Sequence, residues 1–155
     1  MTKRILFATM PVDGHFSPLT SIAMHLKEQG HDVRWYAGPS YASKLRDLGI
    51  LHYPFEKARE VNGENVHELF PERANLSGPK AISFEMKSIF VGNTEAHFRD
   101  ISALRAQFPF EAFFCDAGLF ACRLVAEKLG VPVYSVGVSP LMLSSRDAPP
   151  PFFGL

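Results

Sequence analysis

Two polar residues far apart in the sequence could together perform acid–base chemistry. His15 lies in a turn rich in Gly and Pro after the first apolar run, and Asp116 directly follows a later apolar run. An imidazole can take a proton from a substrate hydroxyl through one ring nitrogen, while a carboxylate at the other nitrogen fixes the tautomer. A plainer interpretation stays open, in which His15 only occupies a turn and Asp116 only caps the following helix.

Short apolar runs alternate with apolar residues at helical spacing along the chain. Runs without polar alternation are typical of strands buried on both faces of a parallel sheet. The predicted strands are 5–8, 33–37, 50–55, 112–115 and 131–136. Helices are predicted from Pro18, capped by Ser17, until Gly30, from Ser40 until Gly49, over 81–104 as one helix or two, and over 119–129. Segment 56–79 is predicted to be a loop with about one helical turn.

This alternation predicts an α/β fold, a Rossmann-like doubly wound parallel sheet with right-handed crossovers. In such sheets ligands bind beyond the carboxyl ends of the strands, where the strand order reverses. If the order is 3-2-1-4-5, the first and fourth strands flank that point. His15 and Asp116 follow these two strands, so we expect their side chains to converge.

Composition excludes several classes of protein. Sixteen basic and sixteen acidic residues balance to zero net charge, which argues against a nucleic-acid partner. No apolar run approaches the length of a membrane span, and no signal peptide precedes the first strand, so we expect a cytoplasmic protein. Cys115 and Cys122 are too few for a zinc site or a disulfide scaffold, and both are predicted to be buried thiols. Because zero net charge leaves little electrostatic repulsion against self-association, the composition is compatible with a homodimer.

The loop after the first strand lacks the known nucleotide-binding patterns. It contains a single glycine, Gly14, so neither G-x-G-x-x-G nor the phosphate loop is present. Asp13 alone is not the acidic cluster of a response regulator. An α/β domain that binds a small nucleotide is therefore a weak alternative.

Three blocks in the same order resemble the UDP-glycosyltransferase family, and within it the macrolide-type bacterial enzymes. The first, 4–41, contains G-H-x-x-P-L from Gly14 and G-H-x-V from Gly30. The second, 110–140, contains Asp116 and a later L-G-V-P. The third is the proline-rich 149–155.

The resemblance implies the amino-terminal half of a GT-B enzyme that inverts the sugar carbon without a metal. His15 matches the general base of the family and Asp116 the carboxylate that orients it. This half binds the acceptor, and fourteen phenylalanines suit an apolar acceptor pocket. Predicted substrate-binding residues flank His15, lie on the 81–104 stripe and follow the fifth strand: Gly14, Phe16, Met86, Ile89, Phe90, Ser139 and Pro140. For the stripe, core packing is the alternative.

The sugar-donor motif of the family is absent from this sequence. We therefore expect 1–155 to be an incomplete acceptor-binding domain, inactive alone, with no cofactor or metal of its own. The donor, a UDP- or dTDP-sugar, would bind a missing carboxy-terminal domain or a separate chain. In the alternative, this chain is a non-catalytic subunit that recruits such a chain.

Overall fold

The fold is a single parallel sheet with helices on both faces. The computed structural model describes residues 1–138, and the prediction for the proline-rich 149–155 lies outside that range. The strands are β1 (Arg4–Ala8), β2 (Asp32–Ala37), β3 (Leu51–Pro54), β4 (Ala112–Asp116) and β5 (Val133–Val136). All pairs are parallel, and the order is β3-β2-β1-β4-β5. The predicted Rossmann-like sheet is thus confirmed.

Over the described range, the α-helices are α1 (Asp13–Glu28), α2 (Ala42–Asp47), α3 (Val66–Leu69), α4 (Gly78–Glu85), α5 (Thr94–Gln107) and α6 (Ala121–Leu129). Short 3-10 turns occur at Pro39–Tyr41 and Pro71–Asn75, and Met86–Val91 is π-helical. The loop prediction for 56–79 was therefore wrong in part. The stripe over 81–104 forms two helices separated by the π-helical segment, a feature frequent at functional sites.

Strand β1 supplies both apolar cores because its successive side chains point to opposite faces. Ile5 and Phe7 pack with residues of α1 and α2, whereas Leu6 and Ala8 pack with residues of α5 and α6. All four are almost fully buried. A strand apolar on both faces occupies the centre of the sheet, which places its carboxyl end beside that of β4.

Helix α1 begins earlier than Ser17 and Pro18 suggested. The Val12 carbonyl accepts hydrogen bonds from the amides of His15 and Phe16. Asp13 starts the helix, where its negative charge suits the amino end of the helix dipole. His15 therefore lies in the first helical turn, not in a loop, and regular backbone holds its side chain.

A buried polar network ties the segment after β3 to helix α5. Asp100, 3% exposed, accepts hydrogen bonds from the amides of Glu56, Lys57 and Ala58 and from the Tyr36 hydroxyl. His97 Nδ1 lies 2.9 Å from the same hydroxyl oxygen. Because that hydroxyl donates to Asp100, Nδ1 must donate to it. Burial lowers the pKa of His97 to about 4, against the opposing charges of Asp100 and Asp116.

Candidate functional site

The predicted pair is formed in the structure. Asp116 is the last residue of β4, and His15 is in the first turn of α1, which follows β1. His15 Nδ1 lies 2.6 Å from Asp116 Oδ1. The two side chains meet where β1 and β4 end side by side, at the point where the strand order reverses.

Asp116 is completely buried, and its carboxylate is surrounded by hydrogen-bond donors. The Met10 amide donates to Oδ2 at 2.8 Å, and the Gly118 amide donates to Oδ1 at 2.7 Å. An ionised carboxylate only accepts, so His15 Nδ1 must carry its proton and donate to Oδ1. This assignment of the tautomer leaves Nε2 with a free lone pair.

The arrangement can therefore accept a proton. The side chain of His15 is 23% exposed, so a small molecule can reach the imidazole. When Nε2 takes a proton, the buried carboxylate lies next to the resulting imidazolium and stabilises it. Capping alone does not account for Asp116, because its carboxylate also holds the imidazole and the Met10 amide.

Gly118 is a residue of this site that the sequence reasoning missed. Besides donating to Asp116 Oδ1, it lies against the imidazole. A Cβ at this position would be 2.8 Å from Asp116 Oδ1, 3.0 Å from His15 Cε1 and 3.2 Å from Phe90 Cε1. The available signal was the sequence Asp-Ala-Gly at the end of the fourth strand, which places a flexible residue next to a buried carboxylate.

Of the three residues predicted from the stripe, Phe90 is the one placed beside the pair by these contacts. It lies in the π-helical segment, and its ring centroid is 6.1 Å from that of Phe120. Ile89 is buried and lines a separate hollow of about 320 Å³ together with Lys57 and Arg59. Met86 begins the π-helical segment and is half-buried.

The residues flanking His15 have different surroundings. Among residues 1–138, apart from the adjoining backbone, no atom lies within 4 Å of a Cβ built on Gly14, so these residues leave the space beside it open. Phe16 is 5% exposed, and its ring centroid lies 4.7 Å from those of Trp35 and Tyr41. Core packing thus occupies the ring of Phe16, and its substrate contact stays a prediction. Ser139 and Pro140 lie outside the described residues.

A second polar cluster lies at the start of α1. Asp13 accepts hydrogen bonds from Tyr41 Oη at 3.0 Å and from Lys44 Nζ at 2.5 Å. Those two hydrogen bonds, that from Lys44 foremost, lower the pKa of Asp13. The cluster borders a hollow of about 340 Å³, lined by Pro11, Val12, Asp13, Ser40, Tyr41, Lys44, Asn62, Gly63 and Glu64.

The two cysteines are free thiols in different environments. Cys115 is buried as predicted, but Cys122 is only half-buried, which corrects that prediction. Their side chains interact, and the interaction raises the pKa of Cys115 while it lowers that of Cys122 to about 7. Within residues 1–138, no three His, Cys, Asp or Glu side chains form a group that could hold a metal. No helix in that range has the length and apolar character needed to span a membrane.

Comparisons with known proteins extend along the whole chain. A 4'-demethylrebeccamycin synthase from Lentzea aerocolonigenes is 34% identical over 155 residues, covering 100% of this chain and 37% of that protein. The vancomycin aglycone glucosyltransferase from Amycolatopsis orientalis is 30% identical over 159 residues, covering 97% of this chain and 34% of its own length. No family model matches the chain.

Solved structures share the fold at low sequence identity. A calicheamicin glycosyltransferase superimposes with a TM-score of 0.69 at 20% identity, over 88% of this chain and 32% of that one. A spinosyn rhamnosyltransferase complexed with thymidine diphosphate gives a TM-score of 0.66 at 15% identity, over 88% and 35%.

The fold is thus that of the amino-terminal Rossmann-like half of GT-B glycosyltransferases. Along almost its whole length the chain is similar in sequence to glycosyltransferases of the macrolide and glycopeptide type. It spans about a third of the length of the curated relatives that it matches.

Proposed function

We propose that this chain is the acceptor-binding, amino-terminal portion of an inverting, metal-independent glycosyltransferase. The whole enzyme would move a hexose-type sugar from a nucleotide sugar to a hydroxyl of a small apolar natural product. The observation that carries the proposal is the contact of 2.6 Å between His15 Nδ1 and the fully buried Asp116 carboxylate. By itself the chain would be inactive, because it supplies the base without the site for the sugar donor.

The chemical step follows from the free lone pair on His15 Nε2. The acceptor hydroxyl gives its proton to Nε2 as its oxygen attacks the anomeric carbon. The bond from that carbon to the diphosphate breaks, and the nucleoside diphosphate leaves with the electron pair. Attack opposite the leaving group inverts the anomeric carbon, and Asp116 stabilises the imidazolium until its proton returns to solvent.

The sugar donor would bind outside this chain. The relatives that this chain matches along its length are about three times as long as the chain. The related spinosyn enzyme was crystallised with thymidine diphosphate. We infer a UDP- or dTDP-sugar as the donor, bound by a carboxy-terminal domain or by a separate chain. The acceptor would lie against His15 and Phe90, with Gly14 as a further wall.

Replacing His15 by Ala in an enzyme that contains both this chain and its donor-binding part tests the assignment. We expect kcat to fall about 10²–10⁴-fold because proton removal loses its base. His25→Ala is the matched control, since His25 is an exposed imidazole on the same helix. If the His15→Ala enzyme transferred sugar to a hydroxyl acceptor at the wild-type rate, His15 would not be the base.

A second candidate function is that of a non-catalytic subunit that recruits a separate donor-binding chain. Here transfer would require the presence of this chain yet survive the His15→Ala substitution. Co-purification of the two chains, together with the activity of that variant, distinguishes the two functions.

A further inference from the structure

Gly118 contacts both members of the catalytic pair at once. Its amide donates to Asp116 Oδ1, the same oxygen that accepts from His15 Nδ1. The Met10 amide instead donates to the other oxygen, Oδ2. Gly118 and His15 therefore share one acceptor atom, and a change in either hydrogen bond changes the electron density available to the other.

The missing side chain of Gly118 is as important as its amide. A Cβ would approach Asp116 Oδ1 to 2.8 Å and His15 Cε1 to 3.0 Å, both shorter than ordinary van der Waals contact. Asp116 is held by two backbone amides and cannot move aside. The imidazole is held through one ring hydrogen bond among the described residues, so the imidazole would be displaced.

Phe90 also lies close to the Cβ position on Gly118. Its Cε1 atom lies 3.2 Å from the Cβ position on Gly118, so imidazole and phenyl ring both pack on the same bare backbone. A methyl group at position 118 would thus meet Asp116, His15 and Phe90 together, and we infer that the imidazole would be pushed away from Oδ1.

We propose that Gly118 is a positioning residue for the base. Its amide polarises Asp116 Oδ1, and its lack of a side chain lets the imidazole reach that oxygen in the tautomer that leaves Nε2 free. The catalytic consequence rests on the proposed function, whereas the effect on His15 does not.

Nitrogen NMR of the His15 imidazole in the 155-residue chain tests the proposal directly. In the wild type we expect one tautomer, protonated at Nδ1, whereas Gly118→Ala should show a mixture of tautomers. Gly63→Ala is the matched control, because no atom of the described part of the chain, beyond its two neighbours, lies within 4 Å of its Cβ position. An unchanged single tautomer in folded Gly118→Ala would overturn the proposal.

Two further measurements apply even where Gly118→Ala does not fold. The double variant Gly118→Ala/Phe90→Leu relieves the contact with Phe90 but keeps that with Asp116, so it should fold and still show mixed tautomers. In the wild type, the amide proton of Gly118 should shift as His15 titrates, and by more than that of Met10. An amide of Gly118 that ignores the titration of His15 would refute coupling through Oδ1.

Kinetics of the enzyme with its donor-binding part separate this inference from the proposed function. Gly118→Ala should lower kcat about 10–100-fold with the KM for the sugar donor unchanged, since only the base is misplaced. Its pH–rate profile should shift on the limb that reports the base. If Gly118→Ala shows mixed tautomers but His15→Ala is fully active, Gly118 keeps its role in positioning the imidazole, and His15 is not the catalytic base.

Discussion

At the scale of single residues, the two acceptor oxygens of the Asp116 carboxylate determine which tautomer His15 adopts. Its oxygens accept from Met10, Gly118 and His15. Each of these donors presents an N–H group, and the site offers two oxygens to satisfy them. The histidine is thereby restricted to one tautomer before any substrate arrives.

Asp116→Asn should disrupt this arrangement while nearly preserving volume. An amide has one oxygen, so at least one of the three N–H donors would face the Asn NH2 group. We expect kcat of the enzyme with its donor part to fall about 10²–10⁴-fold. Unfolding of the chain should become easier by about 1–3 kcal/mol in urea titrations. Asp47→Asn, at an exposed site on α2, is the control, and equal effects in both variants would contradict the prediction.

Because of His97, the free energy of unfolding of the chain should decrease as the pH falls. Burial holds its folded pKa at about 4, below the ordinary value of 6.5, so the unfolded chain binds the proton first as the pH falls. The stabilisation that the chain has while His97 is neutral is fully present above about pH 6.5. As the pH falls from there to 4, the free energy of unfolding decreases by about 3 kcal/mol.

Urea unfolding at several pH values between 7.5 and 4 measures that loss. His97→Gln should be less stable at neutral pH and should flatten the dependence, whereas the exposed His25→Gln should keep it. An unchanged slope in His97→Gln would mean that other groups cause the loss.

At the scale of elements, a carboxylate on α5 holds the segment after β3. Asp100 binds three successive amides, those of Glu56, Lys57 and Ala58. Asp100→Asn replaces one accepting oxygen by a donor, so this segment should open more often. Amide hydrogen exchange at 56–58 should accelerate about tenfold or more, which corresponds to at least 1.4 kcal/mol of lost protection. Glu95→Gln, on the exposed part of α5, should leave these amides unchanged, and slow exchange in both variants would contradict the anchoring role.

The start of α1 shows why element boundaries are hard to predict from local patterns. Ser17 and Pro18 fit the cap and first-turn preferences of a helix. The helix nevertheless starts at Asp13, where it brings Phe16 onto Trp35 and places His15 over the carboxyl end of β4. Packing with residues of β2 thus overrides a local preference worth about 1 kcal/mol.

At the scale of the whole molecule, the chain should lack the site for the sugar donor. Isothermal titration of the isolated chain with thymidine diphosphate should show no saturable binding at up to millimolar concentration. The reason is that the segment from the end of β1 into the first turn of α1 contains Gly14 alone, in place of a glycine-rich phosphate cradle. A polypeptide that adds the donor-binding part should bind. Tight binding by the isolated chain would instead revive the alternative of a small-nucleotide domain.

The sequence by itself determined the succession of strands along the chain and placed His15 and Asp116 after the carboxyl ends of two of them, whereas the structure showed that these two strands are neighbours. Apolar periodicity reports burial on one or both faces of each element, and right-handed crossovers restrict how those elements connect. Three sequence blocks in the same order carried the resemblance to glycosyltransferases. Periodicity and motifs depend on residues that are close together in the sequence, so they can be read without the tertiary structure.

Only the tertiary structure decided which nitrogen of His15 is free, that Gly118 must lack a side chain, and that His97 is buried beside Asp100. Each depends on atoms brought together from distant parts of the chain: His15 and Asp116 are separated by 101 residues, and Tyr36 and Asp100 by 64. Hydrogen-bond directions and contacts of about 3 Å are set by how the elements pack, and no periodicity of the sequence records them.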